Sequence, residues 1–137
     1  MPQLRRSPDT TQSLLRALSM NLAQAPTMST LSKDMGSEGE DKSRHTIKAY
    51  LDDLHAMYLL EDVSGWEPAA RGKKRVRIKP KRYFVDPSLP AAMLGLSPSK
   101  LLRDTQTLGG LFETLVCRDL LTFIDTLPGV GNSIAYY

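Results

Sequence analysis

Apolar residues recur at helical spacing through the first half of the chain. Leu14, Leu15, Leu18, Leu22 and Ala25 share one face, with Asp9 or Thr10 placed to cap the helix and Pro26 placed to stop it. Thr27 to Met35 predicts a short second helix, with Met28, Leu31 and Met35 on one side and Gly36 closing the end. A polar turn, Gly36 to Lys42, leads to Ser43, the expected cap of the strongest pattern of this half: Ile47, Tyr50, Leu51, Leu54, Met57 and Tyr58. Strands follow at Leu59 to Trp66 and Lys73 to Val85, joined by a turn through Glu67 to Gly72. In the second strand Val76 and Ile78 alternate with Arg75, Arg77 and Lys79, the period of a strand with one wet cationic face.

Beyond it, Asp86 and Pro87 open a brief helix that Gly95 ends, and Ser97-Pro98 starts another. The most hydrophobic segment is last. Leu108, Leu111, Phe112, Leu115, Val116, Leu120, Phe123, Ile124 and Leu127 predict a core helix with one wide apolar face, and Ser133 to Tyr137 reads as the first half of a strand. The expected fold is therefore α+β and mainly helical: a leader at 1–10, a winged helix-turn-helix at 11–86, and a helical segment at 87–137.

The 137 residues suit one domain or two small units sharing a core. Cys117, the single cysteine, excludes an internal disulfide and sits where a small buried thiol is expected. No run approaches the length of a membrane span and the first residues lack a signal peptide's apolar core, so a cytoplasmic protein without membrane contact is expected.

Charge changes the picture more than composition does. Arg71 to Arg82, RGKKRVRIKPKR, holds eight of the 18 basic residues and none of the 15 acids, so the rest of the chain carries ten positive against fifteen negative charges, net −5, beneath an overall +3. A basic ribbon beside a helix-turn-helix suits DNA, with the third helix toward the major groove and the wing on the backbone. The predicted nucleic-acid-binding residues are Arg44, Lys48, Arg71, Lys73, Lys74, Arg75, Arg77, Lys79 and Lys81. The exposed flank of the third helix is read as Arg44, His45, Lys48, Asp52, Asp53 and His55. Its aspartates count against deep entry and favour phosphate contacts over base readout. The same features suit a joint between domains, because lysine and arginine also protect a sheet edge from aggregation. His45 and His55, ten residues apart on one helix, do not make a metal site.

Three segments carry a resemblance to a known family. They are Thr46-Ile47-Lys48-Ala49-Tyr50-Leu51-Asp52-Asp53-Leu54 with Tyr58 to Val63 and Trp66; Lys79 to Leu89; and Leu108-Gly109-Gly110-Leu111-Phe112-Glu113-Thr114-Leu115-Val116. Over roughly residues 10 to 137 the chain resembles AAA-type ATPases whose C-terminal half is a domain of unknown function (family 4143) with a restriction-endonuclease-like fold. The resemblance implies an upstream ATPase module as partner and makes residues 87–137 the start of a truncated nuclease-like domain. The ATPase's Walker A loop, G-x-x-x-x-G-K-[ST], does not occur in this sequence. Of a nuclease metal site, only Glu113 is a candidate member; capping, or pairing with Arg118 or Lys100, is its plainer role. The expected protein is therefore non-catalytic and binds no cofactor or metal. The uncovered apolar helix predicts a homodimer through residues 108–127. The alternative function is a protein-interaction or regulatory module linking an ATPase domain to an effector domain.

Overall fold

The computed structural model describes residues 6–66, 79–129 and 133–136. It is a mainly helical α+β arrangement in which helices pack on both faces of a small antiparallel sheet.

Helix α1 (Pro8–Met20) starts earlier than the periodicity suggested. The Ser7 side chain accepts from the Thr10 amide, and Pro8 takes the first helical position, where its missing N–H costs nothing. Residues 8–10, expected in the leader, are thus helical, and Ser7 rather than Asp9 or Thr10 is the cap. Arg6 pairs with Asp53 and lies over the Tyr50 ring at 4.8 Å. The helix ends six residues before Pro26: the Asn21 side chain donates to the Ala17 carbonyl and to Asp34 (both 2.8 Å), and Ala23 turns to a φ of 54°.

Helix α2 (Met28–Asp34) lies within the expected span, with Thr27 as its cap rather than its first residue. The expected polar turn contains a single helical turn, α3 (Ser37–Glu40), pressed close to α2. A Cβ on Gly39 would stand 2.1 Å from the Ser32 carbonyl oxygen. Helix α4 (Arg44–Ala56) is capped by Ser43, which accepts from the Thr46 amide at 3.1 Å, and buries Ile47, Tyr50, Leu51 and Leu54. Tyr58, expected on that buried face, instead reverses the chain at a φ of 57° and is 82% exposed.

Strands β1 (Leu60–Val63) and β2 (Lys81–Phe84) pair antiparallel, Leu60 opposite Phe84 and Val63 opposite Lys81. Both outer edges are engaged. Gln24 bridges to Arg82 beside β2, and Tyr136 bridges to Gly65 just after β1, which covers backbone groups that would otherwise invite pairing. Alternation along the strands divides the interior in two. Leu60 and Phe84 join Leu14, Leu18, Leu31, Ile47, Leu51 and Leu54 in the main core, while Val63 and Tyr83 meet Cys117 and Leu121 on the opposite face.

After β2 come α5 (Ser88–Met93), which lies on α1, and α6 (Pro98–Leu101), capped by Ser97. Helix α7 (Thr105–Thr126) begins at an Asp104 cap. It is not the core helix its hydrophobicity implied. Leu111, Thr114 and Cys117 are buried, Cys117 against Val63 and Tyr83 of the sheet, while Leu108, Phe112, Val116, Leu120, Phe123 and Leu127 remain exposed. No helix among the described residues is long and apolar enough to cross a membrane.

Candidate nucleic-acid interface

The basic residues predicted to act together divide into three groups. Arg71, Lys73, Lys74, Arg75 and Arg77 lie outside the described residues. Arg44 and Lys79 are exposed, and neither enters an ion pair among the described residues. Lys48 and Lys81 are engaged within the chain.

Lys48 reaches Asp52 one turn along α4 at 2.7 Å, both side chains largely in water. Such an exposed pair contributes only about 0.3–0.5 kcal/mol, so an incoming phosphate can compete for the ammonium. Lys81 is committed more firmly. It donates to Glu113 Oε1 at 3.1 Å and lies 5.0 Å from the centre of the Tyr136 ring, so it faces α7 rather than an open cationic face. Tyr83 donates to the same Glu113 oxygen at 2.6 Å, and burial together with that carboxylate raises the phenol's pKa. Glu113 is therefore a tie between α7 and β2; Arg118 pairs instead with Asp119, and Lys100 donates to the Gly95 carbonyl.

The flank of α4 is narrower than the sequence implied. Asp53 is held by Arg6. His55 donates through Nδ1 to the Leu51 carbonyl at 2.8 Å, with Nε2 3.0 Å from Asp62. Arg44, His45, Lys48 and Asp52 remain outward.

Where the basic run enters β2, it meets the start of α4. A groove of about 380 Å³ lies between the segment preceding α2 and residues 79–82. Arg44, Lys79 and Arg82 line it with Thr27, Met28 and Pro80, and no carboxylate is among its lining residues that are described. Arg82 was not singled out from sequence, because it belongs to the end of the run that strand alternation turns toward the body. Its backbone amide donates to the Gln24 carbonyl, and its Nε stands 3.5 Å from Asp62 Oδ1, an ion pair without a hydrogen bond. The side chain is only 17% exposed, and Nε and Nη1 have no hydrogen-bond acceptor among the described residues. Leaving buried donors of a charged group unsatisfied costs on the order of 1–3 kcal/mol each, so this feature demands an explanation.

Among the described residues, no three His, Cys, Asp or Glu side chains converge as a metal site. Cys117 is buried between α7 and the sheet, as its pattern implied.

A family model described as a domain of unknown function, DUF8612, matches residues 2–100, the larger part of the chain. The chain belongs to the DUF8612 family. No curated protein and no solved structure matches it. The DUF8612 match includes α1 to α5, the sheet and the groove, and it stops before α7.

Proposed function

We propose that this chain is a non-catalytic module of winged helix-turn-helix type that holds duplex DNA by its phosphates. The element order supports the architecture: α1, an extended pairing at Gln24, α2, α4, then β1 and β2 joined by a long basic connection. The Gln24 bridge to Arg82 supplies the third strand position that such a fold places between its first two helices. On this reading α4 is the helix nearest the DNA and the β1–β2 connection is the wing.

One observation carries the function. Arg44, from the first turn of α4, and Lys79, from the base of the wing, converge on a groove with no carboxylate among its described lining residues, contiguous in sequence with five further basic residues. Arg71, Lys73, Lys74, Arg75 and Arg77 add five positive charges in the adjoining sequence, and Lys48 becomes available on release from Asp52. Asp52 beside Lys48 disfavours base readout from α4, so binding is backbone-directed and largely independent of sequence. A homodimer through residues 108–127 belongs to the same proposal, as does an ATPase module as protein partner, with residues 87–137 opening a nuclease-like domain.

Fluorescence anisotropy on a random-sequence duplex across a salt series tests it. The logarithm of affinity should fall linearly with that of salt, by about 0.9 for each phosphate neutralised. Alanine at Lys73, Lys74, Arg75 and Arg77 should abolish most of the affinity and flatten the slope. A salt-insensitive signal, or none at low salt, rejects DNA and leaves the basic surface to an acidic protein partner.

A further inference from the structure

We infer that Arg82, with Arg44 and Lys79, forms a seat for a single phosphate group, in which Arg82 is the forked donor. The inference rests on the nucleic-acid reading above and adds a named contact to it. The fold itself places Arg82: its strand position is held by Phe84 in the core and by the Gln24 carbonyl on its own amide, and Asp62 stands beside Nε.

Asp62 does not complete the guanidinium's coordination. Its Oδ1 already faces His55 Nε2 at 3.0 Å, and at 3.5 Å from Arg82 Nε it supplies charge without a hydrogen bond. Two nitrogens of the fork thus lack acceptors in a side chain that lines a groove shared with two more cations. A phosphate matches what is missing. It brings several acceptor oxygens on one centre, fits the parallel donors of a guanidinium, and carries the negative charge that the Arg44 and Lys79 side chains favour. Both nitrogens lie beneath the surface, so a phosphate reaches Nη1 only after the side chain turns toward the groove. A carboxylate offers two oxygens in one plane and reaches fewer of the three cations at once.

The phosphate has two conceivable sources, an internal phosphodiester of DNA or a small phosphate ligand, and the continuity of the groove with the basic run favours the first. The test follows the Arg82 Nε–H resonance of ¹⁵N-labelled full-length chain during titration with a short duplex and, separately, with inorganic phosphate. The duplex should shift that resonance at low concentration and phosphate only at much higher concentration. In parallel, Arg82→Lys should weaken duplex binding about tenfold, since it keeps the charge and loses the fork. Arg82→Gln should do so at least as strongly, with a shallower salt slope. If the wild type binds DNA with a steep slope while both variants bind equally well and the resonance stays still, the seat is wrong and the broader reading stands. A shift produced by inorganic phosphate alone keeps the seat and overturns DNA as its occupant. The resonance is read on the unaltered protein, so instability of either variant does not obscure the answer.

Discussion

At the scale of single residues, the interior under α7 sets measurable chemistry. Burial, with Glu113 and Glu61 nearby, pushes the Cys117 thiol up to about 11 from 9.0, because the thiolate is the form that burial and negative neighbours disfavour. Below pH 9 the thiol is protonated whether the chain is folded or not, and its contribution to stability is complete. As pH rises from 9 toward 11 the unfolded chain ionises first, so stability is lost across that window. Cys117→Ala should remove this part of the high-pH decline, which urea titrations at successive pH values would measure. Iodoacetamide should also label the native protein at pH 8 far more slowly than the unfolded chain. Equal rates would show that the thiol is neither buried nor suppressed.

At the scale of elements, close approach matters more than propensity in the turn between α2 and α3. The Ser32 hydroxyl donates to the Gly39 carbonyl at 2.9 Å, and the Ser32 carbonyl fills the place a Gly39 side chain would need. Gly39→Ala should therefore destabilise the fold by about 1–3 kcal/mol, seen as a lower urea midpoint. Gly36→Ala tests a different cause, backbone strain at a φ of 63° with open space around the missing Cβ. α2 and α4 were legible because Thr27 and Ser43 stand just before apolar residues at regular spacing. α1 was misread at both ends. Ser7-Pro8 is a start signal without hydrophobic residues beside it, and its stop is an asparagine side chain reaching another helix, a contact that spacing does not encode. Tyr58 was placed inside because it continues an apolar series, yet the chain must turn there to bring Leu60 back onto the core. The groove was only partly legible: the strand that alternation predicts through Arg75 to Lys79 lies mostly outside the described residues, and the meeting of Arg44 with residues 79–82 depends on how α4 packs against the sheet.

At the scale of the whole molecule, α7 presents two faces with different fates. Leu111, Thr114 and Cys117 are buried, and Leu108, Phe112, Val116, Leu120, Phe123 and Leu127 form an outward stripe at steps of three and four without a charged residue in it. From ordinary side-chain areas the stripe exposes about 500 Å² of apolar surface, near the upper end of what monomers leave in water. In the proposed homodimer a second copy covers this stripe. An antiparallel pair of α7 helices sets the Phe112 end of each stripe beside the Phe123 end of the other, with Val116 and Leu120 at the centre, and removes roughly 1,000 Å² in total, the area at which stable interfaces begin. Two grooves would then be carried on one particle, and their joint engagement would raise affinity for a long duplex over a short one. Sedimentation equilibrium at micromolar concentration should give twice the chain mass of 15.2 kDa. Phe112→Asp combined with Phe123→Asp should return the monomer with unchanged circular dichroism, because both residues lie opposite the docked face. The same double variant should keep its affinity for a short duplex and lose the gain on a long one. A wild-type monomer, or a variant that remains dimeric, would remove the stripe as the contact and with it the paired arrangement of the two grooves.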